Sequence, residues 1–199
     1  TMSTLLELGA DKTAVCRDEN SPLHFALESD NQKLIMELLD GSGDVESERV
    51  LKTAIYRGHH AVLKVLLAKL QSEQLGYGLV EAAVGGEEST VRLIIEALDP
   101  LSDCRDHFSM ALLSLTRTHW NLFSKASFSM MDLLLESGAN PNFDDHAEDW
   151  EPSTPLSCAV MSLNTVIYLI DQGALVNFRD HMGRTVLHSP RVNCETATF

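Results

Sequence analysis

No stretch of the 199-residue chain approaches the run of about 20 apolar side chains that a helix needs to cross a bilayer. The longest candidates, 62–70 and 91–98, are broken by Lys64, Arg92 and Glu96. The beginning of the chain shows no basic segment followed by an apolar one, so no secretory signal is visible and a cytoplasmic or nuclear location is expected. Basic residues are scarce: 15 Lys and Arg stand against 29 Asp and Glu, a formal net charge of −14. Binding to DNA, RNA or anionic lipid draws on neutralised phosphates, so neither a nucleic acid nor a membrane is expected as the primary partner. The cysteines at 16, 104, 158 and 194 form no CxxC pair or other metal spacing and read as free thiols. Also missing are G-x-S-x-G, H-E-x-x-H, a Walker A loop and a G-x-G-x-x-G after a strand; Gly85-Gly86 has no Lys behind it. No enzyme, catalytic residue or cofactor is therefore expected.

What is present is a core-forming composition, 44% hydrophobic and 22% charged, too apolar for a disordered tail. It is also repetitive. Ser21-Pro22-Leu23-His24-Phe25-Ala26 recurs as Thr154-Pro155-Leu156-Ser157-Cys158-Ala159, with a fainter echo at Thr185-Val186-Leu187-His188. A second phrase, Leu5-Leu6-Glu7-Leu8-Gly9-Ala10, returns as Leu134-Leu135-Glu136-Ser137-Gly138-Ala139 and as Leu169-Ile170-Asp171-Gln172-Gly173-Ala174. Ser or Thr before Pro caps a helix, and Pro suits its first turn because no amide hydrogen is required there. Gly after the second apolar run can take the left-handed conformation that ends a helix. The pattern reads helix, turn, helix, stop.

These phrases resemble the two halves of the ankyrin repeat, and the resemblance runs from Ser3 to His188. It implies an all-α solenoid of stacked helix pairs. Ala26, Ala54, Ala82 and Ala111 recur at intervals of 28, 28 and 29, below the roughly 33 of the consensus. The expected units are 20–47, 48–75, 76–104, 105–152 and 153–180, with partial repeats at 1–19 and 181–199, in one domain. The fourth is expected to be enlarged, because Leu134 follows Ala111 by 23 positions where twelve is the rule. One insertion, 117–128, carries Trp120, Phe123 and Phe128, either buried against neighbouring repeats or projecting as a docking lobe. The other, 140–153, carries Asp144, Asp145, Glu148, Asp149, Trp150 and Glu151. Both ends look cut, so a fragment of a longer chain is expected, or a small protein whose ends are capped by non-repeat segments or a second copy.

Ankyrin arrays bind proteins with their finger tips and the inner face of each first helix. Carried over position by position, that surface comprises Arg17, Asp18, Asn20, Glu28 and Ser29, then Tyr56 and Arg57, then Val84 and Gly85. In the later repeats it takes Trp150, Glu151, Ser153, Met161 and Ser162, and finally His181, Met182 and Arg184. The acidic balance favours a basic partner, and the carboxylates near Trp150 would attract an Arg or Lys. His24 and His188 are expected to tie repeats together, and the adjacent His59 and His60 point too far apart to share an ion. The acidic loop from Asp144 lacks the spacing of a calcium site, so no metal ligands are assigned. Two alternatives remain: a regulatory arm of a larger signalling protein, channel or enzyme, or a scaffold that self-associates as a homodimer through uncapped terminal repeats.

Overall fold

The computed structural model describes residues 2–18, 20–39, 48–98, 104–118, 125–146 and 153–189. The described residues form helices and connecting turns, with no strand among them. They fall into two compact units, Thr1–Pro100 and Leu101–Phe199.

The first unit contains α1 (Met2–Glu7), α2 (Pro22–Glu28), α3 (Gln32–Leu39), α4 (Glu48–Tyr56), α5 (His60–Leu67), α6 (Ser72–Gly85) and α7 (Glu88–Leu98). Each odd helix from α3 packs on the even one before it. The even helices also pack side by side, α4 lying between α2 and α6, while α5 touches α7 and α1 touches α3. Small residues at the centre of the seam permit this: Ala26, Ala54 and Ala82 are fully buried at equivalent positions. The apolar stripe of α5 is buried as its spacing requires, through Val62, Leu63, Leu66 and Leu67. Burying each large aliphatic side chain contributes about 1.5–3 kcal/mol, and only a neighbouring pair can supply the cover.

The second unit comprises α8 (Arg105–Thr118), α9 (Lys125–Glu136), α10 (Pro155–Cys158) continued by a 3-10 turn (Ala159–Met161), α11 (Leu163–Asp171) and a last 3-10 turn (Val186–His188). Here α8 packs on α9 and on α10, and α10 packs on α11. Leu156, Ala159, Leu169 and Ala174 form a buried cluster with Val166, Tyr168 and Val186 against it.

The punctuation follows the sequence. Ser21 Oγ accepts from the His24 amide at 3.4 Å and Thr154 Oγ1 from the Ser157 amide at 3.2 Å, with Pro22 and Pro155 opening the helices. At the far ends Gly138 and Gly173 have φ of 102° and 94°. Their amides donate to Leu135 and Ile170, and the following Ala139 and Ala174 donate to Leu134 and Leu169, the paired bonds of a glycine C-terminal cap. Within the first insertion Arg117 and Thr118 prolong α8, and the Phe128 ring on α9 packs at a tilt against Tyr168, their centres 5.0 Å apart. Trp120 and Phe123 lie outside the described residues.

Candidate functional site

In the first unit the side-by-side packing of α2, α4 and α6 brings together residues about one repeat apart. Lys52 donates to Glu81 at 2.9 Å, and the Tyr56 hydroxyl donates to the other Glu81 oxygen, also at 2.9 Å. Lys52 Nζ stands 5.8 Å from the Tyr56 ring centre. Burial pushes Glu81 upward, but hydrogen bonds from Lys52, Tyr56 and Tyr77 outweigh it and hold the carboxyl below its usual range. Burial, and then the bond to the same carboxylate, raise the Tyr56 and Tyr77 hydroxyls. Tyr56 is still 52% exposed and Phe25 on α2 is 50% exposed. Tyr56 therefore presents exposed aromatic surface beside a fixed ion pair, and Phe25 presents a second such ring on the neighbouring first helix.

The finger before α2 adjoins that row. Arg17 and Asp18 are exposed, Asn20 is half-buried, and the Asp18 carbonyl accepts from Arg49 on α4. Behind the finger lies an open apolar cavity of about 620 Å³ lined by Val15, Asn20, Phe25, Ala26, Ser29 and Leu34, among others. Asn20 Oδ1 is buried there without a hydrogen-bond partner. Glu28, Ser29 and Arg57 are exposed, Val84 is half-buried and Gly85 exposed.

The histidines of this unit act as ties. Thr53 Oγ1 is 3.2 Å from His24 Nδ1, His59 Nε2 reaches the Leu27 carbonyl at 3.0 Å, and His60 Nε2 meets Ser89 and Thr90. Each links one helix pair to an adjacent one. His188 behaves differently from expectation: its Nδ1 takes the amide and hydroxyl of Thr185 three residues back, capping its own turn.

In the second unit Met161 and Ser162 are half-buried, and Ser162 is occupied capping α11 through the Thr165 amide. Met182 is 65% exposed, whereas Arg184 is held by Asp180 at 2.7 Å. Ser153, expected on the surface, is buried: its hydroxyl donates to Asp180 and its carbonyl accepts from the Asp145 amide. Trp150 and Glu151 lie outside the described residues, as do Glu148 and Asp149. Two carboxylates expected to face a partner are engaged internally. Asp145 pairs with Arg117 at 2.8 Å, and Asp144 accepts from the backbone amides of His146 and His181 and from the His181 ring. Burial raises Asp144, but these hydrogen bonds and one from Ser153 prevail and lower it.

Sequence reasoning missed this last convergence, although a signal was available. Asn142-Phe143-Asp144-Asp145-His146 and Asn177-Phe178-Arg179-Asp180-His181 share the pattern Asn-Phe-x-Asp-His, 35 positions apart. Stacking the two fingers sets the equivalent histidines together, their rings 5.1 Å apart and edge-on.

Paired helices with capped first turns, glycine-ended second helices and fingers stacked in register are on this evidence sufficient to define the architecture. The chain has the ankyrin-repeat fold. Among solved structures it is similar to the human ASB11 ankyrin repeat domain, at 21% identity over 98% of this chain and 89% of that one, with a TM-score of 0.63. No family model and no curated protein matches the sequence. No helix among the described residues is long and apolar enough to cross a membrane.

Proposed function

We propose that this ankyrin array is a non-catalytic protein-binding module whose partner docks on the α2–α4–α6 row and the preceding finger. The observation that carries this reading is half-exposed Tyr56 bonded at the Lys52–Glu81 pair, with half-exposed Phe25 on the neighbouring α2 lining an apolar cavity that holds an unpartnered amide oxygen. Aromatic anchors near a fixed polar group are what binding hot spots require, and the apolar cavity offers a seat for one side chain. Arg17, Asp18, Asn20, Glu28, Ser29 and Arg57 supply the polar rim in this reading. Met161, His181, Met182 and Arg184 are the corresponding positions of the later repeats, and Trp150 and Glu151, outside the described residues, are assigned to the same role from the sequence.

The partner segment is basic. The net charge of −14 favours encounter with Lys and Arg, so association is faster and tighter at low salt. The test is affinity capture with the wild type and with the double variant Phe25→Ser, Tyr56→Ala, both side chains being half-exposed and therefore replaceable without opening the core. A protein retained by the wild type and lost from the variant supports the reading. Equal retention by both overturns it.

Self-association is a second reading, favoured by Leu5 and Leu8, which are 54% and 80% exposed on and beside α1. Light scattering separates the two: a concentration-dependent dimer abolished by Leu5→Gln, Leu8→Gln establishes self-association, and a constant monomer mass removes it.

A further inference from the structure

We propose that Asp144, His146 and His181 form a binding site for a single zinc-class divalent ion that clips two neighbouring fingers of the second unit together. One nitrogen from each imidazole and one oxygen from the carboxylate lie within 4.8 Å of one another. His181 Nδ1 is 3.1 Å from Asp144 Oδ2, and His146 Nδ1 is 3.8 Å from the same oxygen. Ligands about 2.1 Å from a tetrahedral zinc ion stand about 3.4 Å from each other, so two of these separations already bracket the required value. The third separation, between the two imidazoles, is within 4.8 Å, and the His146 side chain is 74% exposed, so adjusting its ring to the ion displaces no core packing.

The remaining geometry is prepared. The Asp144 side chain is only 9% exposed and is held from several directions: the His146 amide donates to Oδ1 at 3.0 Å and the His181 amide to Oδ2 at 2.5 Å. Such outer hydrogen bonds orient a ligating carboxylate before the ion arrives. His146 sits at φ 53°, one of two non-glycine residues at positive φ among the described residues, and its ring lies 5.1 Å from that of His181.

The donor set selects the ion. Two imidazoles and one carboxylate suit zinc, copper or nickel, whereas calcium and magnesium prefer six or more oxygens. Three protein ligands leave a fourth position for water or a partner's side chain. The alternative is that His181 and Asp144 form an ordinary ion pair with His146 as a bystander.

Calorimetric titration of the full chain with zinc distinguishes these. Saturable binding of one equivalent is expected, with calcium and magnesium silent at the same concentration, and cobalt substitution gives visible absorption bands. The variant His146→Asn keeps a residue that tolerates positive φ and removes the imidazole. Losing an outer partner costs 10–100-fold in affinity, so losing a direct ligand lowers it by at least about 100-fold. Zinc raises the melting temperature of the wild type and leaves that of His146→Asn unchanged, while His188→Ala, whose ring caps a separate turn, binds like the wild type. Absence of one-equivalent binding, equal affinity in His146→Asn, or equal loss in His188→Ala overturns the site.

Discussion

Gly78 offers a test in which two effects of known size oppose each other. It lies inside α6, where alanine is ordinarily better than glycine by about 0.8–1.0 kcal/mol. A Cβ placed there, however, would stand 2.9 Å from Leu51 Cδ2, with Leu51 Cγ at 3.6 Å and Ile55 Cδ1 at 3.7 Å. Leu51 and Ile55 are 1% and 0% exposed, so neither can swing into solvent to make room. Overpacking of this kind costs about 1–3 kcal/mol. The two terms leave Gly78→Ala between neutral and destabilised by about 2 kcal/mol, and Gly78→Val, bulkier and β-branched, destabilised by about 3 kcal/mol. Gly85 is the control on the same helix: its added Cβ would meet only Tyr56 Cε1 at an ordinary 3.6 Å. Gly85→Ala is therefore stabilised by about 0.5 kcal/mol. Urea unfolding followed by helical circular dichroism measures all three. If Gly78→Ala gains as much as Gly85→Ala, α4 and α6 do not approach at this seam and the stacking derived above is wrong.

Three further outcomes are expected. Because Glu81 ionises below its ordinary value of 4.5 in the folded chain, its contribution is complete above that pH and is lost as pH falls through the lower folded value. Acid unfolding of Glu81→Gln should thus show a weaker fall below pH 4.5 than the wild type, by no more than about 1 kcal/mol since Lys52 is half exposed; an identical fall refutes the pairing. Removing the helix caps with Ser21→Ala or Thr154→Ala should each cost about 1 kcal/mol in the same urea assay, and no change would mean the caps are not formed in solution. Partner affinity should weaken as salt rises from low to physiological ionic strength; indifference to salt removes the basic partner from the proposal.

Much of the fold was legible because a solenoid repeats its instructions. Ser21-Pro22 and Thr154-Pro155 each cap a first helix, and Gly138 and Gly173 each end a second one, so local chemistry alone located these boundaries. The even spacing of Ala26, Ala54 and Ala82 likewise anticipated a shared seam. Contacts across that seam were harder to read. Tyr56 was expected at the surface, but its bond to Glu81 depends on the rotation of α4 against α6, which apolar periodicity does not fix. Ser153 and Asp145 look like solvated finger residues in isolation; the bond between their backbones and the reach of Arg117 from α8 to Asp145 are contacts between residues separated in sequence. The Asp144–His146–His181 cluster was missed for the same reason, since its members meet only when fingers 35 residues apart are laid in register.

The central claim is that one row of first helices is the recognition surface, and hydrogen exchange with the captured partner bound tests it most directly. Slower exchange is predicted in residues 17–29, 49–57 and 77–85, with α5 and α7 unchanged. Protection confined to α5 and α7 would contradict the account.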